Sequence, residues 1–94
     1  VLHFKDSKAQ LFWLSLGSKQ GLYPGIARIL MRKLRMLDAA RQLYDLREPP
    51  GNKFKALHGD RRGQFSIRVN AQYRICFNWS EEGARNIEVL DYHH

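Results

Sequence analysis

The chain has 94 residues, with 16 Lys and Arg against nine Asp and Glu, for a formal net charge of +7. That length supports a single core, so one domain over residues 1–94 is expected. The lone Cys76 excludes an internal disulfide and a cysteine-rich zinc site, and suits a reducing, cytoplasmic setting. The basic excess favours a polyanionic partner such as nucleic acid, because each neutralised phosphate releases counterions; anionic lipid or an acidic protein satisfies the same charge.

No apolar run approaches the ~20 residues needed to cross a bilayer, and no charged-then-apolar signal opens the chain. Neither membrane insertion nor secretion is expected. Val1 to Phe4 reads as a short edge strand. Asp6 or Ser7 can accept hydrogen bonds from the first free N–H groups of a helix running to about Leu16. Leu11, Phe12, Trp13 and Leu14 give that helix a wide apolar face, and Gly17 and Gly21 mark its end and the turn beyond. Pro24 suits the first turn of a second helix reaching about Ala40. Ile26, Leu30, Leu34 and Leu37 recur at helical spacing and form its core stripe. Arg28, Arg32 and Arg35 share another face, which is either solvated or a contact for RNA or a protein partner.

Residues 41–47 fit a helical turn or an extended segment equally well, and Glu48-Pro49-Pro50-Gly51-Asn52 interrupts any regular element. Four strand candidates follow. Phe54 to His58 is short and ends at the Gly59-Asp60 turn. In Phe65 to Val69, Phe65, Ile67 and Val69 alternate with Ser66 and Arg68. In Tyr73 to Trp79, Tyr73, Ile75, Phe77 and Trp79 oppose Arg74, Cys76 and Asn78, and the tight Asn70-Ala71-Gln72 connection joins these two strands as a hairpin. Glu81-Glu82-Gly83 turns into a last strand, Asn86 to Leu90. The expected fold class is α+β: an N-terminal helical hairpin on one face of a mostly antiparallel sheet of four to five strands, whose other face is polar and basic.

Cleaving RNA without a metal requires a base for the ribose 2′-hydroxyl, an acid for the departing 5′-oxygen and cationic donors for the phosphoryl oxygens. The candidates are Arg74, which can offer phosphate a planar fork, and the closing Asp91-Tyr92-His93. There Asp91 would orient a neighbour, Tyr92 would supply a ring and a phenol, and His93 would exchange protons; His94 reads as a tail. Lys55 and His58 add an ammonium and a second imidazole. Lys53, Arg61, Arg62 and Arg68 extend the positive field for RNA, and Phe65 is a second candidate for base stacking. If the strand before Gly59 adjoined the last strand, Lys55, His58, Arg74 and His93 would converge on one recess. The bland alternatives are solvated turns and tails and an ordinary exposed strand arginine. No zinc-ligand spacing, glycine-rich phosphate loop or nucleophile elbow appears, so neither metal nor cofactor is expected.

Four stretches, in this order and spacing, carry a family resemblance: Pro49-Pro50-Gly51-Asn52, Leu57 through Asn70, Gln72-Tyr73-Arg74-Ile75-Cys76-Phe77, and Asp91-Tyr92-His93. Over nearly its whole length the chain resembles the HigB branch of the RelE superfamily of toxins. The resemblance implies an mRNA interferase acting in the A site of the small ribosomal subunit, among its rRNA. It also implies a HigA-like helix-turn-helix antitoxin, with operator DNA bound only through the toxin–antitoxin complex. By position, Arg74 matches the family's phosphate-binding arginine and Asp91, Tyr92 and His93 its C-terminal catalytic group. At Lys55 and His58 the residue types are exchanged relative to some relatives. The competing class is a non-catalytic RNA-binding or antitoxin-partner module acting in transcriptional autoregulation.

Overall fold

The computed structural model describes residues 1–92. Its first helix, α1, spans Ser7–Leu14, and the Asp6 carboxylate accepts a 3.1 Å hydrogen bond from the Ala9 N–H to cap it. The same carboxylate accepts from the Val89 N–H at 3.2 Å, so one side chain fixes the helix start against the last strand. The expected wide apolar face is not what α1 buries. Ala9 and Phe12 are fully buried, whereas Leu11, Leu14 and Leu16 are exposed. Eight residues give only two turns, and just one narrow side of so short a helix meets the core.

The second helix, α2, covers Ala27–Ala39 and starts later than expected. Pro24 precedes it in a turn that Gly25 completes with φ +82°, a conformation available to glycine without a Cβ clash. Its core stripe is as predicted: Leu30, Leu34 and Leu37 are buried, with Ile26 just before the first turn. Arg28, Arg32 and Arg35 are exposed on the helix layer, where they line two recesses of about 390 and 340 Å³. Residues 43–47 and 50–52, the ambiguous middle of the chain, form short 3-10 turns.

The sheet has four antiparallel strands in sequence order: β1 (Lys55–Ala56), β2 (Phe65–Arg68), β3 (Tyr73–Ser80) and β4 (Gly83–Asp91). Beyond β4, Phe4 makes an isolated parallel bridge to Ile87, so the opening residues do cover that edge. β1 is only two residues long, because a 3-10 turn at Gly59–Arg61 takes up the chain soon after it. β4 starts earlier than Asn86. A bulge lies opposite Phe77, with Asn86 at φ +52°, and it lets Ala84 and Ile87 both face the core although they are three residues apart. Ile67, Val69, Ile75, Phe77, Ile87 and Val89 form the sheet's contribution to one buried cluster shared with Phe12, Leu30, Leu34 and Leu37. Among the described residues, no helix is long and apolar enough to cross a membrane.

Candidate active site

The helices cover one side of the sheet, and strand alternation sends Arg74, Cys76 and Asn78 to the other. Register extends this face across the strands. Ser66 of β2 pairs with Cys76, which in turn pairs with Glu88 of β4, and Lys55 of β1 pairs with Ser66. Ser66 and Cys76 are both fully buried and form the floor on which longer polar side chains lie.

Arg74 is held at two points on this face. Its Nε donates to Ser66 Oγ at 3.0 Å and its Nη2 to the Lys53 carbonyl at 2.7 Å. A guanidinium has five N–H donors, so three remain without a partner among the described residues. Burial lowers the Arg74 pKa, opposed by the neighbouring Tyr92 and Cys76 and aided by Arg68. The group stays cationic because arginine starts so high. It is thus a partly desolvated, anchored positive fork, the form in which a charge acts most strongly on an oxyanion.

Tyr92 reaches the same floor from the end of β4. Its hydroxyl lies 3.5 Å from Cys76 Sγ, and its backbone N–H donates to the Gln72 carbonyl at 2.6 Å. The contact with Cys76 and burial raise its pKa, against the pull of Arg61 and Arg74. Tyr92 is therefore a neutral phenol at physiological pH.

Next to this centre, Arg61 Nη1 donates to Gln64 Oε1 at 3.0 Å and pairs with Glu88 Oε1 at 3.3 Å, an acceptor that Lys5 approaches at 3.6 Å. Gln64 Nε2 and Asn86 Nδ2 both donate to Asn78 Oδ1, at 3.3 and 3.0 Å. Arg61, Arg62, Gln64, Asn78 and Glu88 help line a recess of about 420 Å³. Arg61 and Arg74 both pull the Tyr92 pKa down, so two guanidiniums lie within electrostatic reach of the phenol.

The sequence-predicted candidates separate into groups. Arg74, Tyr92, Arg61, Arg68 and Lys55 belong to this face. Lys53 is exposed and contributes its backbone carbonyl to it. Arg62 is exposed on the rim of the recess. The condition that the strand before Gly59 adjoin the last strand is not met: β1 and β4 are the opposite edges of the sheet. Lys55 still joins the Arg74 side because antiparallel pairing with β2 dictates which way it faces. His58 sits exposed at the start of the 3-10 turn beyond β1. Phe65 does not join the Arg74 side. Its ring stacks on Phe54 at 5.7 Å and packs towards Phe77 on the helix side, where it cannot share a base with Tyr92. Asp91 pairs in register with Tyr73, on the side away from Arg74, and its carboxylate accepts from Gln72 Nε2 at 3.0 Å. His93 and His94 lie outside the described residues.

Sequence reasoning missed Ser66, Cys76, Glu88 and the amides of Gln64 and Asn78 as parts of the site. The signal for two of them was present. A hairpin closing at Asn70-Ala71-Gln72 puts Ser66 opposite Cys76, one step from Arg74. Among the described residues, no three His, Cys, Asp or Glu side chains cluster as a metal would need.

Residues 2–93 match the family described as the RelE-like toxin of type II toxin–antitoxin systems, HigB. The chain is 44% identical over 93 residues to Toxin HigB-1 of Vibrio cholerae serotype O1 (strain ATCC 39315 / El Tor Inaba N16961), covering 99% of this chain and 97% of that protein. It is 32% identical over 91 residues to an uncharacterized protein of Haemophilus influenzae (strain ATCC 51907 / DSM 11121 / KW20 / Rd), covering 97% and 89%. Among solved structures, the fold is similar to a chain of the YoeB–YefM complex from Staphylococcus aureus, with TM-score 0.63 and 15% identity over 100% of this chain and 97% of that one. It is also similar to a YoeB/ParE toxin from Agrobacterium tumefaciens, with TM-score 0.53 and 20% identity over 99% and 98%.

Proposed function

The chain belongs to the HigB-like, RelE-like toxins of type II toxin–antitoxin systems, and on that premise we propose that it is a ribosome-dependent endoribonuclease that cuts mRNA in the A site. The observation that carries this reading is the anchored Arg74 fork, with two N–H groups bound and three without a partner among the described residues. In the proposed reaction the ribose 2′-oxygen attacks phosphorus as its proton passes to a base. The P–O5′ bond breaks, and the 5′-oxygen takes up a proton from an acid. Arg74 holds the phosphoryl oxygens and stabilises the charge that builds on them. Tyr92, neutral at physiological pH, donates a hydrogen bond or stacks on a base beside the cut. His93, next in sequence, is the proposed proton-transfer group, since an imidazole titrates near neutral pH. Lys55, Arg61, Arg62 and Arg68 would position the flanking phosphates.

The family further implies a cognate antitoxin. We propose a HigA-like helix-turn-helix partner that represses its operator in complex with this chain, and a cytoplasmic location for both. The test is to map mRNA 5′ ends after a short pulse of expression. Cuts inside translated frames, absent for Arg74→Ala and His93→Ala, are expected. Intact message during growth arrest would remove the nuclease role and leave a binding module.

A further inference from the structure

Lys33 is the most buried cation among the described residues, at 5% exposure, and no carboxylate pairs with it there. Its Nζ donates to the side-chain oxygen of Asn52, itself fully buried. Burial, assisted by Arg32, lowers the Lys33 pKa, as desolvation of an ammonium must. An ammonium can only donate, so it fixes which end of the Asn52 amide faces α2. The NH₂ end is thereby aimed at the 46–48 backbone, where Nδ2 donates to the Leu46 and Glu48 carbonyls at 3.1 and 3.2 Å. The loop is wound around this one amide.

The consequence appears at the next residue. Lys53 adopts φ +46°, ψ +48°, the left-handed region, with its N–H donating to the Pro50 carbonyl at 3.1 Å. Its own carbonyl is the acceptor for Arg74 Nη2. Arg74 thus has two tethers of different origin: Ser66 from the sheet, and Lys53 from a loop whose shape depends on Asn52.

We propose that Lys33 and Asn52 are positioning residues that aim the Arg74 fork through the Lys53 carbonyl; the inference rests on the cleavage role given to Arg74 above. A buried ammonium matched only by a neutral amide is a costly way to fill a core, and an apolar side chain of similar volume does so at less expense. What it supplies here is direction. With the loop tether lost, Arg74 pivots about its single bond to Ser66, and an error of about 1 Å at a catalytic group costs up to ~100-fold in rate.

The experiment compares Asn52→Ala, Lys33→Met and each combined with Arg74→Ala, using purified full chain and programmed ribosomes. Each single variant is expected to lower kcat roughly 10- to 100-fold with KM little changed. In the Arg74→Ala background, the same change is expected to add less than about 2-fold, because both act through one group. An equal loss with and without Arg74 would overturn the proposal, since that is what a general structural defect does. The second readout needs no cleavage: the Arg74 Nη–H resonances by NMR, which report the bond to the Lys53 carbonyl, should shift and exchange faster in both variants. An unchanged resonance in a folded variant would overturn the proposal as well. Wild-type protein that leaves ribosome-bound message intact would instead defeat the nuclease reading, while the resonance still decides the positioning claim. Lys33→Met keeps an apolar stem of similar volume, so it carries the test if Asn52→Ala fails to fold.

Discussion

On the helix side of β3, Ile75 and Phe77 are fully buried among leucines, isoleucines and valines that touch one another in many directions. On the other side of the same strand, Arg74, Cys76 and Asn78 each meet specific partners: Ser66 and Lys53, Tyr92, and the amides of Gln64 and Asn86. The first face is held by apolar burial, which is non-directional and roughly proportional to area. The second is held by directed contacts in which removing one partner leaves another unmatched. Alternation along eight residues therefore gives one strand two faces, apolar burial inward and directed polar contacts outward.

That division makes separable predictions, and the sharpest concerns the inner face. Phe77→Ala should cost about 3–5 kcal/mol in a denaturant melt, because it removes a fully buried ring from a packed site. Ribosome cleavage should survive in whatever fraction remains folded. Loss of activity without loss of stability would break the comparison. On the outer face the pattern should reverse. Arg74→Ala should lower the cleavage rate about 10²- to 10³-fold, the usual effect of removing an oxyanion donor. Its melting midpoint should move far less than that of Phe77→Ala. Binding of the antitoxin by pull-down would show that the variant is folded.

The pair Tyr92→Phe and Phe65→Leu sharpens the assignment of the faces further. Tyr92→Phe keeps the ring but removes the hydroxyl that meets Cys76, and should lower cleavage by about 10-fold, the loss of one hydrogen bond of roughly 1 kcal/mol. Phe65→Leu leaves the outer face intact and should leave cleavage of the folded protein unchanged, since its ring stacks on Phe54 on the helix side. An RNA-binding defect in Phe65→Leu with normal stability would restore the stacking role that the sequence alone gave it.

These contrasts also mark how far the sequence could be read. The face assignments of Ile67, Ile75, Phe77 and Arg74 were legible because a period of two is local, and so was the hairpin joining β2 to β3. The α2 stripe was legible for the same reason at helical period. What could not be read was which strand lies beside which. The order β1-β2-β3-β4 depends on long-range packing, and the condition that the Phe54–His58 segment adjoin the last strand is not met by it. Phe65 was misassigned because alternation places it with Ile67 but says nothing of Phe54, which comes across from the preceding loop. Asn52 was noticed only as part of a turn motif. Its buried partner Lys33 lies 19 residues away on α2, a separation at which local patterns are silent.

The smallest expected effect tests the limits of the inner face itself, which contains one polar atom out of place. Tyr23 is buried against Phe12, with ring centroids 5.2 Å apart and an edge-on geometry, yet its hydroxyl has no hydrogen-bond partner among the described residues. Burial, with the charges of Asp6 and Tyr73, raises its pKa far above the usual phenol value. A buried hydroxyl without a partner is a cost, so Tyr23→Phe should be neutral or stabilising at neutral pH, by up to about 1 kcal/mol. The pH dependence follows from the same group. A raised native pKa means that the folded state keeps its proton when the unfolded chain has begun to lose it. The contribution of Tyr23 to stability is therefore intact below pH 10 and falls as pH climbs above it. Tyr92 titrates in the same direction, so Tyr23→Phe should flatten the alkaline decline in melting temperature without abolishing it. If the decline were unchanged, the Tyr23 ring would have to reach solvent more freely than its packing against Phe12 allows, and the inner face would be looser than its other residues imply.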